Sequence, residues 1–281
     1  MTGLATRTPK ERIDAGAGSA RNIERRAPRW ALALILPITF LGLWELGAVT
    51  GVVSSRLIPP PSTIGATLFD LAASGDLLGH SLSTTWRVLG GFVLGASVAT
   101  VLGAATGVSE RFESIFDPTL QALRNIPSIA WTPLFILWFG IFETSKVLMI
   151  GLGVFFPVYL TFSGAIASVD RGLVEVGRVY GFRTTTLIKR ILLPASLPTY
   201  LIGLRNGLGL GWMFVVAAEF LGASQGLGYL LVDGQQTGRP ALIIASIVMF
   251  ALLGKITDRL LATAGARFTR WQDGFSRETA M

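Results

Sequence analysis

The stretch Val88-LGGFVLGASVATVLGAATGV-Ser109 runs for 22 residues without a charged side chain, and Val147-LMIGLGVFFPVYLTFSGAIAS-Val169 does so for 23. A helix needs about 20 mostly apolar residues to cross hydrocarbon, where only a helix satisfies its own backbone hydrogen bonds. Outward from these two runs lie four more. Trp30 to Val53 is broken only by Glu45, and Asn125 to Phe142 is uncharged, although Pro127 and Pro133 should bend or shorten it. Tyr200 to Gly222 is apolar apart from Arg205 and Glu219, and Ala241 to Ala262 carries Lys255, Asp258 and Arg259 at its far end. The expectation is an all-α, polytopic membrane protein with six transmembrane helices.

Composition agrees with that class. Of 281 residues, 51% are hydrophobic and 15% charged, against about 25% charged in a soluble domain. The chain has no cysteine and one histidine, His80. Disulfides, thiolate metal sites and cysteine nucleophiles are excluded, and so is a multi-histidine metal site within one chain. The net charge of +7 raises nucleic acid as a partner, but the placement of the charges answers it. Lys and Arg number seven in the tail before the first run, two in 109–127, five in 170–199 and three after 262. The alternate connections hold only Arg56, Lys146 and Arg239. Seventeen against three puts both termini in the cytoplasm and accounts for the positive charge without nucleic acid.

Residues 1–29 are too long and too mixed in charge for a signal peptide, and read as a disordered cytoplasmic tail. The membrane-spanning body is expected over 30–262, with a second cytoplasmic tail over 263–281. No internal repeat or inverted symmetry relates the halves, unlike many secondary transporters. Six helices are few to enclose a path, so a homodimer with a shared pathway is the expected completion.

The connection Asp170-RGLVEVGRVYGFRTTTLIKRILLPASLP-Thr199 is too long and too patterned for a simple loop. Leu173, Val174, Val176 and Tyr180 share one helical face, with Arg171, Glu175 and Arg178 around it. Gly181 sits at the turn, where positive φ costs glycine nothing. Thr184 is placed to cap a second helix carrying Leu187, Ile188, Ile191 and Leu192. Pro194 is expected to end that helix, and Pro198 to keep it from fusing with the next span. Two such helices under a membrane domain form a ridge suited to a groove on a partner.

Glu175, Gly181, Ile191, Leu193 and Pro194 stand at the spacing E-A-A-x3-G-x9-I-x-L-P, with Val176 and Gly177 in place of the alanines. In this the segment resembles the coupling loop of bacterial ABC-importer permeases. Leu123-RNIPSIAWTPLFILWFG-Ile141 with Glu143 and Lys146 resembles the subgroup that imports sulfonates, nitrate, taurine and related small anions. Asp170-RGLVE with Tyr180 and Gly181, and Ala251-LLGKITD-Arg259, are most similar to its aliphatic-sulfonate permeases. The resemblance covers roughly residues 58–275. It implies a multi-pass protein of the bacterial inner membrane with a methionine-importer-permease-like fold, acting as a homodimer. The 170–198 loop would couple it to an ATP-binding-cassette ATPase dimer, and an extracytoplasmic binding protein would deliver substrate. ATP would be hydrolysed by the partner, since this chain has no G-x4-G-K-[ST] phosphate loop. Neither a cofactor, a metal nor a catalytic role is expected of it. Taurine, nitrate or a vitamin precursor are the rival cargoes, and an ATP-independent carrier is the rival mechanism.

Three residues are substrate-path candidates: Arg205, Asn206 and Glu219. An intramembrane arginine faces a cavity or a partner, and its fork suits a sulfonate, although snorkelling or local pairing is open to Arg205 as well. His80, Ser83 and Arg87 read as a helix start or an interface anchor, while Trp131, Trp138 and Phe139 either gate a path or pack spans. Gly91, Gly95, Gly103 and Gly107, with Gly203, Gly207 and Gly211, mark faces where helix backbones approach closely.

Overall fold

A computed structural model describes the chain from Arg29 to Thr269 apart from Leu221, and among these residues the regular structure is all helix, with no strand. The expected disordered tail over 1–29 thus lies outside the described residues except for Arg29, as does most of 263–281. Helix α1 (Arg29–Val49) is followed by α2 (Pro61–Ser74), whose Pro60 cap offers no side-chain acceptor. Glu45 of α1 supplies it instead: its carboxylate accepts from the Ser62 backbone N–H at 3.0 Å and from the Ser62 hydroxyl at 2.7 Å. A carboxylate at a helix N-terminus satisfies an orphan donor and complements the dipole.

The body is built on α3 (Asp76–Val108), α6 (Glu143–Ala167) and α9 (Leu193–Phe220). Helix α6 lies between the other two, and its Ile150, Val154, Val158 and Tyr159 are fully buried. The glycine faces make this possible. A Cβ on Gly95 of α3 would collide with the Gly151 carbonyl, and one on Gly207 of α9 would sit 2.7 Å from Val158 Cγ2. These close approaches are within one chain, on the two flanks of α6. Gly91 meets Val147 and Ile150 while Gly107 meets Ser163 and Ile166, so α3 and α6 run in the same direction. Gly203 meets Thr161 and Gly211 meets Val154, so α9 runs the opposite way.

Parallel α3 and α6 oblige the chain to return between them. It does so in two pieces, α4 (Glu110–Arg124) and α5 (Thr132–Phe139), joined through a 3-10 turn at Ser128–Trp131. Asp117 of α4 accepts from Tyr159 Oη at 3.1 Å, and Thr132 Oγ1 approaches Met149 Sδ at 3.4 Å, so the two pieces climb antiparallel to α6. The expected single span over 125–142 is therefore corrected to a return that starts at Glu110 and is broken midway. Pro127 has no N–H to continue the ladder, Asn125 and Ile126 close tight bonds back to Ala122 and Leu123, and Gly140 at φ +72° ends α5.

Four helical stretches are long and apolar enough to cross a membrane: Asp76–Val108, Glu143–Ala167, Thr184–Phe220 and Pro240–Phe268. Leu34–Val49 is a shorter apolar stretch. After α6 come α7 (Arg171–Val179) and α8 (Thr184–Leu187), and after α9 come α10 (Leu227–Gln236) and α11 (Pro240–Phe268). Helix α11 continues six residues past Ala262, to Phe268.

Candidate functional site

The helix pair at the α7 end is assembled from short-range contacts. Asp170 caps α7, its Oδ1 accepting from the Gly172 N–H at 2.8 Å. Gly181 adopts φ +71°, the left-handed turn expected of it. Gly177 is buried, and a Cβ there would lie 2.7 Å from Ile191 Cδ1, with Phe182 and Leu187 just beyond. The position that departs from the motif's alanine is therefore the floor on which Ile191 rests. Thr184 is the first helical residue rather than the cap; Arg183 precedes α8 and donates no side-chain cap bond.

Pro194 and Pro198 do not separate this pair from the next span. Residues Thr184–Phe220 form one continuous 37-residue helix. A π turn at Ile188–Leu192, in which the Leu193 N–H reaches back to the Ile188 carbonyl, opens the helix where the Pro194 ring would otherwise strike the preceding turn. Leu193 and Pro194 thus begin α9 as part of a rod about 55 Å long. Glu175 is exposed beside Leu173, Val176, Val179 and Tyr180, an apolar ridge on which Val179 is 86% accessible.

The substrate-path candidates do not converge. Arg205 makes a two-point ion pair with Asp258 of α11, Nε to Oδ1 at 2.8 Å and Nη2 to Oδ2 at 2.9 Å. Asn206 is exposed. Glu219 lies fourteen residues further along α9, about 21 Å away, and its side chain is fully enclosed. Its Oε1 accepts from Arg87 Nη1 at 2.6 Å and from Thr84 Oγ1 at 2.8 Å, while Oε2 accepts from the Gly228 N–H at 2.7 Å. Arg87 also grips Glu143 through Nε and Nη2 at 2.6 and 2.9 Å, and Lys146 Nζ adds a contact to Glu143 at 3.0 Å. A Cβ on Gly226 or Gly228 would meet the Glu219 side chain, so the turn before α10 is glycine because a buried carboxylate occupies the space. The Gly226 N–H donates to His80 Nδ1 at 3.0 Å. Two cations and two anions thus tie α3, α6, α9 and α10 together at the α10 end.

The α7 ridge is packed against one end of the long helix, and the Arg87–Glu219 cluster holds the other end. Residues 89–270 match the family model described as "Binding-protein-dependent transport system inner membrane component". The chain belongs to that family. Among relatives of this permease is the aliphatic sulfonates transport permease protein SsuC of Bacillus subtilis (strain 168), 40% identical over 251 residues, covering 89% of this chain and 91% of that protein. SsuC of Escherichia coli (strain K12) is 35% identical over 255 residues, covering 90% and 97%. The fold matches a chain of the inward-facing MetNI methionine ABC transporter with a TM-score of 0.60 at 17% identity, over 68% of this permease and 93% of that chain.

Two groups in the permease escaped the reading of the sequence. Arg87 is the hub of the buried cluster, not a helix start; α3 begins eleven residues earlier, at Asp76. The signal available was a cation next to an uncharged run, with acids at Glu143 and Glu219 bounding two others. Arg124, counted with the cationic connection over 109–127, is the last residue of α4, where the return breaks. It lines a cavity of about 250 Å3 with Gly153 and Phe156, at the midpoint of α6. Trp131 lines the same cavity, while Trp138 and Phe139 pack with Phe135 in an aromatic cluster on α5.

Proposed function

We propose that the chain is the transmembrane subunit of an ATP-driven importer of aliphatic sulfonates in the bacterial cytoplasmic membrane. The observation that carries this reading is the continuous Thr184–Phe220 helix, which joins an exposed apolar ridge to the packed core. A partner that grips α7 would push on α9 through the packing of Gly177 against Ile191, and no break separates Ile191 from the core. The ridge suits the cleft of an ATP-binding-cassette ATPase, one on each copy of a homodimer. The cargo is supported by the names of the SsuC relatives.

In this reading the chain crosses the bilayer six times with both termini in the cytoplasm, α4 and α5 together making the third crossing. Exposed apolar residues such as Leu36, Leu43 and Val101 face lipid. A second copy covers α4, which buries none of its residues in the single chain although Phe112 and Ile115 are apolar. An extracytoplasmic binding protein docks at the α10 end, and ATP is bound and hydrolysed only by the partner.

The test is uptake of labelled short alkanesulfonates by cells deleted for this gene, with and without its plasmid-borne return, using taurine, nitrate and sulfate as competitors. Uptake that disappears with the gene, returns with it and resists the competitors is the expected result. Uptake indifferent to the gene overturns the cargo. Displacement by taurine or nitrate moves the assignment to that anion.

A further inference from the structure

The break in the return path is more than a bent helix. Non-helical backbone at membrane depth is tolerated only where protein covers it or a water-filled cavity adjoins it. Here it adjoins the cavity of about 250 Å3 between α4, α6 and α9. Arg124 lines that cavity at the level of Gly153 and Phe156, in the middle of the 25-residue α6. An arginine at that depth is costly and marks a pathway or a partner. The four ion pairs among the described residues employ Arg87, Lys146 and Arg205, but not Arg124.

We propose that this cavity is a mid-membrane contact site for an organic anion, resting on the importer reading above. Arg124 and Asn125 present a guanidinium fork and an amide to a sulfonate head group. Trp131, Leu152, Phe156 and Phe214 provide an apolar wall for a short alkyl chain. The arrangement selects for both ends of the ligand. A bare inorganic anion surrenders hydration to one cation and gains nothing from the wall, whereas each methylene buried there favours binding about fourfold. The fork geometry of arginine matches the oxygens of a sulfonate better than a point charge does. The site receives its ligand from the binding protein and releases it again, so a single unpaired cation serves better than a closed cage.

The experiment uses the whole importer in liposomes, with permease, ATPase and binding protein. Uptake of labelled ethanesulfonate, butanesulfonate and hexanesulfonate is measured at saturating binding protein and normalised to assembled complex. Arg124→Gln is expected to lower kcat for uptake about tenfold or more, the loss of one charge-assisted contact, with Arg124→Lys recovering part of it. Trp131→Ala is expected to flatten the dependence of uptake on chain length. Equal losses in Arg124→Gln and Arg124→Lys, or wild-type uptake in Arg124→Gln, overturn the site. Should Arg124→Gln fail to assemble, the Trp131→Ala chain-length profile decides: flattened supports the site, unchanged overturns it. A wild-type importer inert toward every alkanesulfonate sinks the proposed cargo and this ligand with it. An active wild type with an indifferent Arg124→Gln sinks the site alone.

Discussion

Replacing Gly177 with alanine tests whether the α7 ridge depends on the packing beneath it. The added Cβ would lie 2.7 Å from Ile191 Cδ1, whereas ordinary van der Waals contact begins near 3.4 Å. Ile191 must therefore retreat by about 0.7 Å, and Phe182 Cδ2 and Leu187 Cδ1, at 3.5 and 3.6 Å from the same point, limit where the helices can go. Overpacking of this kind costs about 1–3 kcal/mol. If the ATPase cleft accepts only the undistorted pair, that cost appears whole in docking, as about fivefold to hundredfold weaker affinity. The assay is titration of the ATPase onto the permease in lipid nanodiscs, followed by uptake. Ile191→Val removes the colliding methyl and alone costs about 0.5–1.5 kcal/mol. Combined with Gly177→Ala it should restore docking toward wild type, so the double variant binds better than the sum of the singles. Wild-type docking by Gly177→Ala, or losses that simply add, would refute the packing argument.

Glu219→Gln should lower the thermal stability of the solubilised permease by about 1–3 kcal/mol, because it removes one of the two counter-charges of Arg87 and weakens a buried charge-assisted contact; a melting temperature within a degree of wild type contradicts that. At the other pair, Arg205→Ala or Asp258→Ala alone leaves one charge at membrane depth, a cost of about 2.5–3.5 kcal/mol at a helix centre on insertion scales, reduced here by the half-exposed position of Arg205. The double alanine variant should accumulate in membranes better than either single, measured by quantitative blotting; equal levels in all three count against the pair.

The broken return shows how far residues alone can lead. An uncharged stretch over 125–142 satisfied the length rule, and Pro127 and Pro133 announced a disturbance. Nothing local told whether the disturbance bends one span or divides a longer one. That depended on α3 and α6 running parallel, which follows from glycines at 91–107 meeting residues 147–166. The same lesson holds at Pro194 and Pro198, where a one-residue widening of the helix at Ile188–Leu192 absorbs what would ordinarily stop it.

The sequence by itself determined the class of the protein, its apolar elements, the asymmetry of its charges and the segment that resembles a coupling loop. Those are properties of contiguous residues, because transfer into hydrocarbon and helical periodicity act on one element at a time. Gly181 was legible for the same reason: a turn and its φ are local. Only the tertiary structure decided that Arg87 belongs to Glu219, 132 residues away, that Arg205 belongs to Asp258, and that Arg124 lines a cavity beside the middle of α6. A buried charge is stable only against a particular partner, and which helices touch is settled by packing. That packing arises between elements, on either side of α6.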